Sequence, residues 1–194
     1  MQEIPVVGYA LLALLARVPS TGYELTARMS SPMGAFWTAP HSQIYPQLIC
    51  LEGAGLIRHR ADPGPGPRLR KTYRLTAAGR RALARWVISP PGERVPRDEL
   101  VLRAYAAPVA DHARLAELFR DQERQHRKVL RGYQRIRREL AAELGSRLTD
   151  PSSPSFGNVA ILERGIGAER EYVRWCRWMA ERLESCLTRD TVVP

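Results

Sequence analysis

Between Pro40 and Ala82 the chain holds a short helix, a two-stranded basic hairpin and another helix with almost no spare residues, and few folds accept that order. In the first of these segments Ile44, Leu48 and Leu51 recur at helical spacing, while Ser42, Gln43, Tyr45 and Gln47 project elsewhere. A buried stripe therefore lies beside a polar, hydrogen-bonding face. Ser42 suits an N-cap, and Pro46, which has no N–H to donate, is tolerable only near the first turn. The polar face thus belongs to the helix start, where free N–H groups and a partial positive charge favour phosphate. Gly53 and Gly55 stop the helix.

The hairpin reads as strands Leu56 to Ala61 and Arg68 to Leu75 around a proline- and glycine-rich turn from Asp62 to Pro67. Arg58, Arg60, Arg68, Arg70, Lys71 and Arg74 face Asp62 as the one acidic residue of the segment. An isolated hairpin is marginal, so Leu56, Ile57, Tyr73 and Leu75 are expected to anchor it. A charged, solvated loop is the plain reading of such a ribbon. Next to a helix with a polar face it reads better as a grip on the sugar-phosphate backbone. Upstream, Ile4 to Ala16 is a nearly all-apolar helix with Val7, Leu11, Leu14 and Leu15 toward a core. Thr21-Gly22-Tyr23-Glu24 forms a capping box opening a helix to Met29. Phe36 and Trp37, in the loop Ser30 to Ala39, read as packing residues. Three helices followed by a two-stranded wing make a winged helix-turn-helix.

The wording GYEL at 22–25, QIYPQL at 43–48, LEGAGLI at 51–57 and KTYRLTAAGRRAL at 71–83 resembles the PadR family of bacterial transcriptional regulators. The likeness covers the first 85 or so residues closely, and RDELVLRAYAAP at 97–108 resembles the start of the helical dimerisation region of longer members. The resemblance implies a homodimeric repressor on double-stranded DNA, released in some members by an effector. Carried over by position, it implies DNA contacts from Ser42, Gln43, Tyr45 and Gln47 on the recognition helix, from Tyr23 at the start of the preceding one, and from Arg70, Lys71 and Tyr73 on the wing. His41 and Arg68 join these as neighbours at the helix start and on the wing. Ile49 and Cys50 stand where basic residues are usual in the family.

A break at Ser89-Pro90-Pro91-Gly92 separates two expected domains, a winged helix-turn-helix over 1–88 and an α-helical dimerisation domain over 97–188. The overall class is mainly α. In the second half, Arg97 to Ala106 reads as a short helix and Asp111 to Leu144 as a long one. Leu115, Leu118, Phe119, Val129, Leu130, Tyr133, Ile136, Leu140 and Leu144 make the stripe of the long helix. A last helix from Phe156 to Leu187 offers one side with Val159, Leu162, Ile166, Val173, Cys176, Leu183 and Leu187 and another with Tyr172, Trp175 and Met179. Two apolar stripes suggest packing both within the subunit and across a dimer. A two-fold protein matches a pseudo-palindromic operator, its recognition helices about 34–36 Å apart. Trp86, Tyr105, Trp175 and Trp178 are candidates to line a pocket for a small aromatic or apolar effector, although aromatics on apolar faces are ordinarily core or dimer contacts.

The formal charge of +10 comes almost wholly from arginine, which suits bidentate contacts to phosphate and guanine. Cys50, Cys176 and Cys186 are odd in number and lack a paired spacing, as expected of free thiols in a reducing cytoplasm. No apolar run reaches the length of a membrane span, and no signal peptide is expected. His41, His59, His112 and His126 are dispersed, with no phosphate loop, HExxH or CxxC, so no enzyme activity, cofactor or metal is expected. The competing reading is a winged-helix interaction scaffold without specific DNA binding.

Overall fold

The computed structural model describes residues 4–29, 41–62, 70–93 and 97–190. The chain divides into two units, residues 1–92 and 93–194. In the first, α1 (Val6–Arg17) is followed by a two-residue strand β1 (Ser20–Thr21) and α2 (Gly22–Met29). Then come α3 (His41–Gly53), the hairpin β2 (Ile57–Asp62) and β3 (Arg70–Leu75), and α4 (Ala77–Val87). The loop with Phe36 and Trp37 and the wing tip with Arg68 lie outside the described residues.

Local chemistry sets each junction. The capping box forms as a reciprocal pair: the Glu24 amide donates to Thr21 Oγ1 at 3.2 Å, and the Thr21 amide donates to Glu24 Oε2 at 2.8 Å. Helix α3 starts at His41, so Ser42 sits inside the first turn rather than before it. Pro46 is the sixth residue of the helix, past the first turn where it is cheapest, and it cannot donate to the Ser42 carbonyl. At the other end Gly55 adopts φ +69, a conformation that disfavours a side chain. The Leu56 amide then donates to the Leu51 carbonyl and the Gly55 amide to that of Glu52, the two bonds of a Schellman ending. This turn aims the chain straight into β2. Thr76 caps α4 by accepting from the Gly79 amide at 3.0 Å, and its own hydroxyl donates back to the carbonyls of Gly55 and Leu56.

The sheet has three strands in the order β1-β3-β2, all antiparallel, with Ser20 opposite Tyr73 and Arg58 opposite Arg74. The sequence reading missed β1, which is too short to show alternation and is held by its pairing with β3. One core serves the unit: Leu11, Leu12, Leu14 and Leu15 from α1, Leu25 and Met29 from α2, Ile44, Leu48 and Leu51 from α3, and Ile57 and Tyr73 from the sheet. Each such side chain stabilises the fold by roughly 1.5–3 kcal/mol.

In the second unit α5 (Glu99–Tyr105) and a 3-10 turn at Ala107–Val109 precede two long helices, α6 (His112–Leu144) and α7 (Phe156–Asp190), with another 3-10 turn at Gly145–Leu148. Asp98 caps α5 and Asp111 caps α6. Cross-helix pairs Arg120–Glu184, His126–Glu169 and Arg137–Glu163 run in opposite numerical directions, so the helices are antiparallel. Leu115, Ala116 and Phe119 on α6 pack with Cys176, Met179, Ala180 and Leu183 on α7, and Leu100 and Ala104 of α5 close one end. The apolar stripe expected along all of α6 is buried only in its first third, and Val129, which the sequence placed on it, is 41% exposed. No helix among the described residues is long and apolar enough to cross a membrane.

Candidate nucleic-acid interface

Burial of Ile44, Leu48 and Leu51 fixes the rotation of α3 and leaves Ser42, Gln43, Tyr45, Pro46 and Ile49 exposed. Ser42, Tyr45, Pro46 and Ile49 recur at steps of three and four residues, so they form one continuous outward face with Gln43 at its edge. Tyr45 is 51% exposed, and one side of its ring rests on Gly22. A Cβ there would meet the ring at 2.6 Å. Gly22 thus lets the first turn of α2 approach α3 closely. Tyr23, at 78% exposure, stands beside it.

Two residues proposed from sequence do not join this surface. Gln47 is half-buried and turned back toward α1, its amide nitrogen within 2.9 Å of where a Gly8 Cβ would stand. Tyr73 belongs to the core, because strand alternation puts it on the same face as Leu75 and Ile57, and burial pushes its hydroxyl pKa up. A helical or strand period finds such positions only after the buried face is known. His41 lies in α3, but its side chain and that of Arg68 fall outside what is described.

On the hairpin, alternation separates two sets of cations. Arg58, Arg60, Arg70 and Arg74 project from the face opposite Tyr73, with Arg58 and Arg74 directly across from each other. Like charges placed so are unfavourable unless an anion sits between or above them. Lys71 is exposed on the other face, beyond the core edge. Arg70 is already held: its guanidinium donates to Glu24 Oε1 at 2.6 Å. Glu24 is also bound by Thr21, and the Thr21 backbone bond foremost, helped by Arg70, keeps its carboxyl below the usual range. Glu24 therefore ties the α2 start to β3, a role invisible in its local motif. Glu52, at the end of α3, likewise accepts from the backbone amide of His59 at 2.9 Å and meets His59 Nδ1 at 2.7 Å. Burial would raise the Glu52 pKa, but the His59 bonds win and lower it. Helix and wing are thus joined by side chains as well as by the short Schellman turn, beside exposed polar, aromatic and cationic groups.

The four effector-pocket candidates fall in both units. Trp86 stacks on Tyr9 in the first unit, with centroids 4.6 Å apart. In the second, Trp175 meets Phe119 and Tyr172 edge-on, while Tyr105 is 87% and Trp178 51% exposed. Among the described residues no group of three or more His, Cys, Asp or Glu side chains is placed to hold a metal ion.

A model described as the transcriptional regulator PadR-like family matches residues 11–85, and one described as virulence activator alpha C-term matches residues 96–184. The negative transcriptional regulator PadR of Bacillus subtilis is 33% identical over 174 residues, covering 88% of this chain and 93% of that protein. The chain belongs to the PadR family. A probable transcriptional regulator of Mycobacterium tuberculosis is 30% identical over 190 residues, 91% of this chain and 96% of that one. Among solved structures, Bacillus subtilis PadR in complex with operator DNA superposes with a TM-score of 0.84 at 31% identity, covering 94% of this chain and 99% of that chain. The same protein in complex with p-coumaric acid gives 0.78, again at 31% identity, over 93% and 99%. As a PadR-family protein the chain is a DNA-binding transcriptional regulator built as a winged helix with a helical C-terminal region, and not an enzyme.

Proposed function

We propose that the protein is a homodimeric repressor that occupies a pseudo-palindromic operator, with α3 in the major groove and the wing against the flanking backbone. The observation that carries this reading is the outward face of α3, on which Ser42, Gln43 and Tyr45 stand free while the opposite face is sealed in the core. Side-chain amides and hydroxyls at the start of a groove-bound helix read base edges. The relative solved in complex with operator DNA supports operator binding, and its name supports repression. Arg58, Arg60, Arg74 and Lys71 supply the phosphate contacts in this scheme, and Arg70 orients the wing through Glu24. The helical unit supplies the subunit contact. A small aromatic acid is the effector class, by likeness to the relative solved with p-coumaric acid, and Tyr105 and Trp178 are the first positions to substitute in testing it.

The experiment is a footprint and gel shift on genomic fragments, beginning with the region upstream of the protein's own coding sequence. A protected two-fold symmetric site is expected, with Gln43→Ala and Lys71→Ala each weakening retention while sedimentation still reports a dimer. Wild-type binding unaffected by both changes would refute the site assignment. A duplex-independent protein would leave the scaffold reading in its place.

A further inference from the structure

From Arg124 to Arg138 helix α6 carries seven cations, Arg124, Arg127, Lys128, Arg131, Arg135, Arg137 and Arg138, and no carboxylate. The helix sorts them. Arg127 pairs with Glu123 and Arg137 with Glu163 of α7, while Arg124 pairs with Asp121 one turn back. Lys128, Arg131, Arg135 and Arg138 are all exposed and recur at three- and four-residue steps, so they line up in one row turned away from the α7 contact. Arg135 lies 3.9 Å from Glu139, and among the described residues Lys128, Arg131 and Arg138 have no carboxylate partner. Like charges at these steps repel and disfavour the bare helix. A shallow trough borders the row, lined by Gln125, Lys128, Val129, Arg131, Gly132 and Arg135. Nothing lies within 4 Å of where a Gly132 Cβ would stand, so a bulky partner can reach the backbone there.

We propose that this row is a second, sequence-independent contact for the phosphate backbone of duplex DNA, separate from the recognition helix. The inference rests on the DNA-binding reading above and adds to it a surface on the helical unit. Ten residues of helix extend about 15 Å, a length over which a duplex presents roughly nine phosphate charges. Among the described residues of a second copy's helical unit, Glu117, Glu143 and Glu181 are scattered over α6 and α7 and Asp98, Asp111 and Asp150 cap turns, while Glu99, Asp121, Glu123, Glu139, Glu163, Glu169, Glu171 and Glu184 already meet arginines or His126. Charge complementarity therefore selects a polyanion over another subunit.

The test uses the full chain with Lys128→Gln, Arg131→Gln and Arg138→Gln combined, all exposed positions outside the α6–α7 core. Binding to an operator-free duplex of about 40 base pairs and to the operator duplex is followed by fluorescence anisotropy between about 50 and 200 mM salt. For both duplexes the slope of log K against log salt is expected to become shallower by about 2.7 per bound subunit, about 0.9 for each lost phosphate contact. The ratio between the two duplexes is expected to persist, because the recognition helix is untouched. An unchanged slope overturns the proposal, and so does a triple variant whose sedimentation shows lost self-association, which assigns the row to a subunit contact instead. A wild-type protein that binds both duplexes equally sinks the operator reading, while the slope difference still reports on the α6 row.

Discussion

Replacing Gly79 with alanine sets two effects of opposite sign against each other. Alanine favours a helix over glycine by up to about 1 kcal/mol, so propensity alone predicts that Gly79→Ala in α4 stabilises the winged unit. The packing predicts otherwise. A Cβ at Gly79 would stand 2.0 Å from the Leu56 carbonyl oxygen and 2.8 Å from Leu75 Cδ1. That carbonyl cannot swing aside freely, because it accepts from the Thr76 amide and the Thr76 hydroxyl, each at 3.0 Å. Relief requires the β2 entry and α4 to part by more than 1 Å, a typical overpacking cost of about 1–3 kcal/mol. Weakening the two Thr76 bonds adds about 0.5–1.5 kcal/mol each. Less the propensity gain, the variant should lose roughly 1–5 kcal/mol, enough to lower the melting point of the winged unit by several degrees or more. Gly132→Ala and Gly167→Ala, where nothing lies within 4 Å of the added methyl, serve as internal standards and should stabilise by up to about 1 kcal/mol. Differential scanning calorimetry with urea titration reads all three. If Gly79→Ala rises in stability like the other two, the tight β2–α4 junction described here is wrong.

Glu24→Gln keeps a capping side chain but removes the charge held below its usual pKa chiefly by the Thr21 backbone bond and also by Arg70. A depressed carboxylate contributes stability above its unfolded pKa that is lost as pH falls through the folded one, so the gap between wild type and variant should be full at pH 7 and should shrink as the pH falls below the ordinary glutamate range in urea denaturation. Glu123 is buried against Arg120, Arg127 and Arg177. Burial raises its pKa, yet the hydrogen bonds from Arg177 and Arg120 carry it below the usual value. Glu123→Ala should cost about 1–3 kcal/mol in the helical unit, because Arg127 and Arg177 lose their carboxylate while Arg120 keeps Glu184, measured as a lowered transition of that unit in calorimetry. Arg58→Gln with Arg74→Gln should reduce the salt slope of operator binding by about 1.8 per subunit without altering which sequence is preferred. With a thiol reagent near pH 8, Cys50 and Cys186 should react quickly and Cys176, buried with its pKa pushed up to about 11, only on unfolding.

The sequence alone determined what local physics determines. Periodicity placed α1, α2, α3, α6 and α7 to within a residue or three, the capping box gave the start of α2, and glycine spacing gave the end of α3. These are properties of a few neighbouring residues, and each is decided before any long-range contact forms. The polar row Ser42, Gln43 and Tyr45 was legible for the same reason. Tertiary structure decided everything that depends on which side of an element meets another. It turned Gln47 toward α1 and Tyr73 into the core, and it paired Ser20–Thr21 with β3 to make a third strand. It also assigned Arg70 to Glu24, 46 positions away, and divided the arginines of α6 into those that hold α7 and those that face outward. A charge in a sequence has no partner until folding brings distant segments within a few ångströms, and only then does it become a latch or a free contact.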